Sequence, residues 1–449
     1  MTVPAENTAE NTAGSTRPGT VAAVARPTAA GRRRAVAAIA IGNLLEWYDF
    51  AVYATLASVL GPLFFPSTSA SASLLAGLSV FAVGYVARPV GALVFGRLAD
   101  SSGRRAGLVA IIVLMGVATV GMGLLPTYAA IGVAAPVLLV VLRIAQGMAI
   151  GGEFATATTY LVEIAGPRRR GLYGSITYVT AALGFALGLG VVVLLNAVVT
   201  PQGVSDGWWR LTFLLSVPLL LVGRYLRRRA TESPAFRAMK AEAAAGTTVQ
   251  APPSRPIRPM LQVFGIGIAV AVGSYTVLGF VLSYLLVVVR QPPGVAYGSA
   301  LVATLVGASF VLLAGHLSDR VGRRPMMLAA AASLAVFAFP GYLLLAAGGF
   351  WPALAGQLLL WVPVGIGLGV VPSLYAELFP ARNRTTAMAF PHALVTAVFS
   401  GTAPLVSTLL VSTTGSLTAP AWYLLAAALV SGAVTLTVHE TAWADLRTT

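Results

Sequence analysis

Apolar residues run along this chain in blocks of about twenty, separated by short polar gaps, from residue 35 almost to the end. A helix rising about 1.5 Å per residue needs about twenty residues to cross the hydrocarbon of a bilayer. No block alternates apolar and polar residues with the period of two that a membrane barrel strand requires, so the blocks read as helices. Twelve are predicted, at 35–58, 74–96, 106–125, 137–160, 172–198, 210–226, 260–287, 296–317, 326–347, 352–376, 386–412 and 419–438. The pattern predicts an all-α membrane protein with the lipid bilayer as its solvent.

The gaps alternate in charge. Basic gaps hold Arg97, Arg104 and Arg105, then Arg168 to Arg170, Arg227 to Arg229, Arg320, Arg323 and Arg324, and Arg382 and Arg384, while Arg290 is the exception among the rest. Arginine concentrates on the cytoplasmic side of membrane helices, so both termini are expected to be cytoplasmic, which an even number of spans satisfies. The expected organisation is a disordered N-terminus at 1–34, a six-helix bundle at 35–226, a central loop at 227–259, a second bundle at 260–438 and a tail at 439–449. Arg32, Arg33 and Arg34 read as a cytoplasmic anchor, because a twin-arginine export signal would be followed by a cleavage site and not by eleven further spans.

Composition narrows the function. The 449 residues are 57% hydrophobic and 10% charged, with a mean hydropathy of +0.84, too little charge to cover a soluble surface. The formal charge of +15 lies mostly in the gaps between spans and reads as topology, so no nucleic-acid partner is expected. Cysteine is absent and the three histidines form no cluster, which argues against disulfides and against a metal site. Neither a nucleophile–base set nor a GxxxxGK[ST] run is present, so neither an enzyme nor an ATP-driven pump is expected, and no cofactor is implied.

An internal repeat supports the two bundles. Residues 96–105, GRLADSSGRR, are echoed by residues 315–324, GHLSDRVGRR, each after the second span of a half. Each half then has a glutamate ending its fourth span and an arginine seven residues on, Glu163 with Arg170 and Glu377 with Arg384. Two duplicated features in the same order point to parallel six-span repeats.

These loops resemble the signature loop of the major facilitator superfamily. Residues 42–50 (GNLLEWYDF), 87–100 (ARPVGALVFGRLAD), 143–154 (RIAQGMAIGGEF) and 232–236 (ESPAF) are similar to motifs of its metabolite:proton symporter family. Residues 156–180 look most like the 2-oxoglutarate permease branch, with proline/betaine and citrate carriers further off. The resemblance covers about residues 35–440. It implies two six-helix repeats around a central cavity, alternating access, and proton-coupled uptake of a small polar metabolite by a monomer. The implied substrate is a carboxylate such as a 2-oxo dicarboxylate, with a zwitterionic osmolyte, or a facilitator or efflux antiporter on the same fold, as alternatives. Ser101 stands where the family has a basic residue after the loop aspartate, and is expected to weaken that half's latch.

Few ionisable side chains fall inside the spans, where each is costly unless paired or wet. Asp49 is expected about 21 Å from the cytoplasmic side and Arg143 about 9 Å from the outer side of a roughly 30 Å core, hence at similar depth. The resemblance turns spans 1 and 4 towards the cavity, so an Asp49–Arg143 pair is expected there. A substrate competing for Arg143 would switch Asp49 between proton-bound and free, whereas a permanent salt bridge is the structural alternative. Glu46 reads either as a second proton site or as a structural hydrogen-bonding group. Glu153, after two glycines, reads as a coupling or a packing residue. Arg143 is expected to bind substrate with Asn43, Tyr53, Gln146, Tyr178 and Tyr275, while His392 reads as a packed neutral imidazole. Gating is assigned to the loop residues Gly96, Asp100, Gly103, Arg104, Arg105, Gly315, Asp319, Gly322, Arg323 and Arg324, with Glu163, Arg170, Glu377 and Arg384 as ion-pair partners. Arg88 is placed with them, as a brace for the loop at Asp100 in preference to an attractor of anions.

Overall fold

The computed structural model describes residues 28–67, 70–229, 231–244, 257–444 and 446. Long helices occupy every predicted span. They are α1 (Ala29–Phe64), α2 (Ala70–Ser102), α3 (Arg104–Leu124), α4 (Ala134–Ile164) and α5 (Arg170–Val198), followed by α6, which ends in Ser216–Arg229. The second half contains α7 (Ile257–Val288), α8 (Pro293–Val321), α9 (Arg323–Ala347), α10 (Phe350–Glu377), α11 (Arg384–Thr414) and α12 (Pro420–Leu436). Many large apolar side chains, Val86, Leu194, Leu313 and Leu405 among them, point outwards, as a surface dissolved in lipid requires.

Element edges differ from the expectation at three places. Residues 29–34, assigned to a disordered N-terminus, are the first turns of α1, and Thr28 Oγ1 accepts the Gly31 amide at 3.1 Å as its cap. The rest of that segment lies outside the described residues. Arg227, Arg228 and Arg229, assigned to the central loop, finish α6, and a short helix at Pro234–Ala244 follows.

Within the first half α1 packs on α5 and α2 on α4; within the second, α8 and α9 pack on α10, and α7 on α12. The halves meet where α2 lies against α11 and α5 against α8, equivalent pairs in the two repeats. Absent side chains set these crossings. A Cβ on Gly151 of α4 would fall 2.0 Å from the Arg88 carbonyl of α2, and one on Gly171 of α5 would fall 2.2 Å from the Gly315 carbonyl of α8. Gly103 and Gly322 serve differently: each turns the chain between two helices at φ 108° and 111°, a region other residues rarely enter.

In the second half two helices, α11 and α7, widen into π turns, and Thr396 and Ser400 of the α11 turn lie in the wall of the cavity between the halves. The backbone amide of Gly401 reaches the carbonyl of Thr396 at 3.2 Å, five residues back, and the Val289 amide reaches Tyr284 at 3.0 Å. Such π turns loosen a helix locally and recur at functional sites.

Candidate functional site

A closed cavity lies between the halves. From α1 it takes Asn43, Glu46 and Trp47, from α2 Arg88, from α4 Phe154. Tyr178 of α5, Tyr275 of α7, Tyr375 and Trp361 of α10 and His392 of α11 add to the polar and aromatic part of its wall. These residues meet because α1 and α4 contribute one turn each at mid-depth, where α2 and α4 cross on glycine.

An arginine and a glutamate, Arg88 and Glu46, face this space. The Arg88 guanidinium lies 4.0 Å from the Tyr85 ring centre and donates a 3.4 Å hydrogen bond to the Tyr275 hydroxyl. Glu46 is only 8% exposed. Among the described residues neither Arg88 nor Glu46 forms an ion pair, and no hydrogen bond reaches the Glu46 carboxylate. A buried charge without a partner is unfavourable, so the pair is poised for a ligand that brings both signs. Arg88 therefore corrects its assignment as a brace: it lies three turns of helix from Asp100 and in the cavity wall.

Asp49 and Arg143 do approach, to 3.6 Å, but inside the first bundle. Gln146 joins them, its Oε1 accepting from Arg143 at 2.6 Å and its amide donating to Asp49 at 2.7 Å and to Thr119 Oγ1 at 2.9 Å. The Tyr53 ring covers the Arg143 guanidinium at 3.3 Å. Arg143, Gln146 and Tyr53 were expected around the substrate and instead form this cluster, away from the described cavity wall; Asn43, Tyr178 and Tyr275 do line the cavity. Asn43 is held there by bonds to the Thr177 carbonyl and, at 2.9 Å, to Thr180 Oγ1. Glu153 is clasped by Arg227 of α6, whose guanidinium also donates to the Leu108 carbonyl at 2.6 Å and the Ala38 carbonyl at 3.3 Å. That one side chain ties α1, α3, α4 and α6 together, with Glu153 as its ion-pair partner.

Over the cavity, on the side away from the arginine-rich loops, three rings close on one another. Phe50 of α1, Tyr85 of α2 and Tyr275 of α7 stand 5.7 to 6.2 Å apart, each pair edge to face. At the opposite, basic face an ion-pair network shuts the halves together. Asp100 accepts from the Thr386 amide and hydroxyl at 2.8 and 2.7 Å and from the Thr385 amide at 3.3 Å, capping the start of α11 in the other half. Asp319 accepts from the Gly171 and Leu172 amides at 2.8 and 3.0 Å, capping α5. Glu163 pairs with Arg104 at 3.3 Å and with Arg384 of the other half at 3.0 Å; Glu377 pairs with Arg323 at 3.1 Å and with Arg170 at 3.6 Å.

Within each arginine pair the first member, Arg104 or Arg323, enters the network. The second does not, against expectation: Arg105 donates to the Arg228 carbonyl and Arg324 to the Leu436 carbonyl, closing the last span of their own half. Gly96 and Gly315 allow the helix approach, whereas Gly103 and Gly322 make the turn. Ser101 and Arg320 are both exposed, and neither enters an ion pair of the network among the described residues.

One duplicated feature escaped the sequence reading. Glu232 accepts the Arg104 amide at 3.0 Å and Glu440 the Arg323 amide at 2.8 Å, and the next residue in each case, Ser233 or Thr441, donates to Glu163 or Glu377. The signal was the shared Glu-Ser/Thr step after the sixth span of each half. Trp47, Phe154 and Tyr375 were also missed, because an aromatic residue in an apolar span carries no mark of facing a cavity.

The family described as "Sugar (and other) transporter" matches residues 35–256 and 255–448. The proline/betaine transporter of Escherichia coli (strain K12) is 35% identical over 91% of this chain and 84% of its own length. The alpha-ketoglutarate permease of the same strain is 33% identical over 94% of this chain and 98% of its own length. Among solved structures, the proton:xylose symporter XylE bound to 6-bromo-6-deoxy-D-glucose superposes with a TM-score of 0.74 at 19% identity, covering 92% of this chain and 97% of that one, a likeness of fold. With its duplicated helices, central cavity and crossed latches, this chain belongs to the sugar (and other) transporter family of the major facilitator superfamily.

Proposed function

We propose that this protein is a proton-coupled symporter that takes up a small zwitterion of the proline and betaine kind by alternating access, with the basic face and both termini in the cytoplasm. The observation that carries the substrate reading is the cavity with one unpaired guanidinium, Arg88, and one unpaired carboxylate, Glu46, between aromatic walls. A substrate carboxylate suits Arg88, which offers planar paired donors. The cationic end suits the faces of Trp47, Tyr178 and Tyr375, since a quaternary ammonium cannot donate hydrogen bonds and is held by π-faces. A net-neutral ligand leaves the cavity's own charges balanced. The relatives named for proline and betaine transport support the same reading.

A 2-oxo dicarboxylate, as carried by the alpha-ketoglutarate relative, is the second reading, favoured by His392 beside Arg88 in the wall. It would bring two negative charges to a cavity that already holds Glu46. Competition against labelled proline and betaine in a transport-deficient strain tests the choice. Inhibition by betaines and not by 2-oxoglutarate is expected; the opposite pattern would transfer the assignment to the dicarboxylate. Substrate-driven alkalinisation outside energised vesicles separates a symporter from a facilitator or an efflux antiporter.

A further inference from the structure

Glu46 belongs to two cavities at once. On one side it faces the central cavity; on the other it lines a small space inside the first bundle, bounded by Gly42, Ile112, Met115, Ala149, Glu153 and Arg227. Arg227 stands in the last turn of α6, next to the basic loop, so this side space lies between Glu46 and the basic face. Gly42 makes room for it, since a Cβ there would fall 1.8 Å from an Arg227 guanidinium nitrogen. We propose that Glu46 carries the coupling proton and releases it towards the basic face through this side cavity, off the route of the substrate.

Three observations support the assignment. Glu46 is a buried carboxylate that forms neither a hydrogen bond nor an ion pair among the described residues, although Arg88 and Arg227 face it, so its protonation breaks no native bond. Asp49 holds Gln146 and Arg143, and both oxygens of Glu153 hold Arg227, so protonating either would dismantle a bundle-spanning cluster. Glu46 also shares its cavity with Arg88, the substrate anchor proposed above. When a substrate carboxylate occupies Arg88, that guanidinium no longer offsets the charge of Glu46, and a proton from water converts the carboxylate to a neutral acid. On the other side of the cycle substrate leaves, Arg88 again faces Glu46, and the proton departs to water. The groups facing Glu46 are Asp49 from its own helix, Arg88 from α2, Glu153 from α4 and Arg227 from α6, with Tyr178, Tyr275 and His392 across the central cavity; α3 contributes Ile111, Ile112 and Met115 and no titratable group.

The proposal rests on proton coupling and not on the identity of the substrate, and its infrared arm needs no substrate. Infrared difference spectra between acid and alkaline buffer, on the purified full chain in lipid nanodiscs, record buried carboxyl protonation directly. The carboxylic acid band is expected in the wild type and in Asp49→Asn, and to be lost in Glu46→Gln. A band kept in Glu46→Gln and lost in Asp49→Asn would overturn the proposal. Ala149→Leu, which fills the side cavity and alters no ionisable group, is expected to slow the exchange of that band after a pH jump while leaving proline binding intact. Unslowed exchange in a variant that folds, as judged by its elution and helicity, would remove the side cavity from the route. Should wild-type protein bind neither proline nor betaine, the substrate reading fails and the infrared result stands by itself.

Discussion

At the scale of single residues, two arginines separate binding from folding. Arg88 touches the cavity, so Arg88→Gln is expected to weaken substrate binding about ten- to hundredfold, the worth of one or two charge-assisted hydrogen bonds. Arg143 sits in the cluster with Asp49, Gln146 and Tyr53. Arg143→Gln leaves the Asp49 carboxylate buried without its cation, a loss of about 3–5 kcal/mol of stability in comparable buried pairs. Its affinity, measured on the protein that does fold, should stay within a few-fold of wild type. Calorimetric titration together with thermal unfolding in detergent checks both. A large affinity loss in Arg143→Gln with unchanged melting would return that residue to the substrate site. Asp206→Asn is the control, because among the described residues this carboxylate bonds Gln202 within its own turn and no other group, and the change should alter neither property.

At the scale of elements, the latches are built from helix ends. Asp100 and Asp319 each satisfy the first free amides of a helix in the opposite half, where the positive end of the helix dipole also favours a carboxylate. Each asparagine variant keeps the shape and loses the charge. Asp100→Asn and Asp319→Asn are both expected to shift the carrier towards a state open at the basic face. A charged hydrogen bond is worth about 1.5–3 kcal/mol, so the shift should be about tenfold or more. Spin labels on Ser101→Cys and Arg320→Cys report it, since those side chains are exposed and outside the network. Longer label distances in both variants, by similar populations, are the expected result. A response confined to Asp319→Asn would show that the two latches are unequal after all.

At the scale of the whole molecule, the structure is shut at both faces, by aromatic rings on one side and ion pairs on the other. The ion pairs are themselves buried, so salt screens them little and both closures are held by groups withdrawn from water. The assignment of faces is tested by thiol accessibility. A single cysteine at Tyr128→Cys, on the face away from the arginines, should react with an impermeant reagent added outside intact cells, whereas Ser101→Cys should react only after permeabilisation. The reverse pattern would invert the molecule in the membrane.

Helix number, the approximate helix limits, the duplication and the approach of the loop arginines to Glu163 and Glu377 were legible in the sequence, whereas the places of Arg105, Arg324, Glu232 and Glu440 were not. The legible features follow from quantities a chain carries locally: the run of apolar residues set by bilayer thickness, the clustering of arginine in alternate gaps, and the repeated spacing of Asp, Gly and Glu. That Asp49 and Arg143 lie level with one another was also readable, because rise per residue is constant along a helix. Rotation was not. Glu46 and Asp49 are three residues apart on α1, yet one faces the cavity and the other the bundle interior, and only the packing of α1 against α3, α4 and α5 decides which. For the same reason Arg88 and Arg143 exchanged their expected places, and Glu153 found Arg227 across more than seventy residues of chain. In an almost wholly apolar helix every face looks alike to the eye that reads composition. The face turned to the cavity is chosen by where glycines let a neighbour approach and where a buried charge meets its partner, and both belong to the tertiary structure.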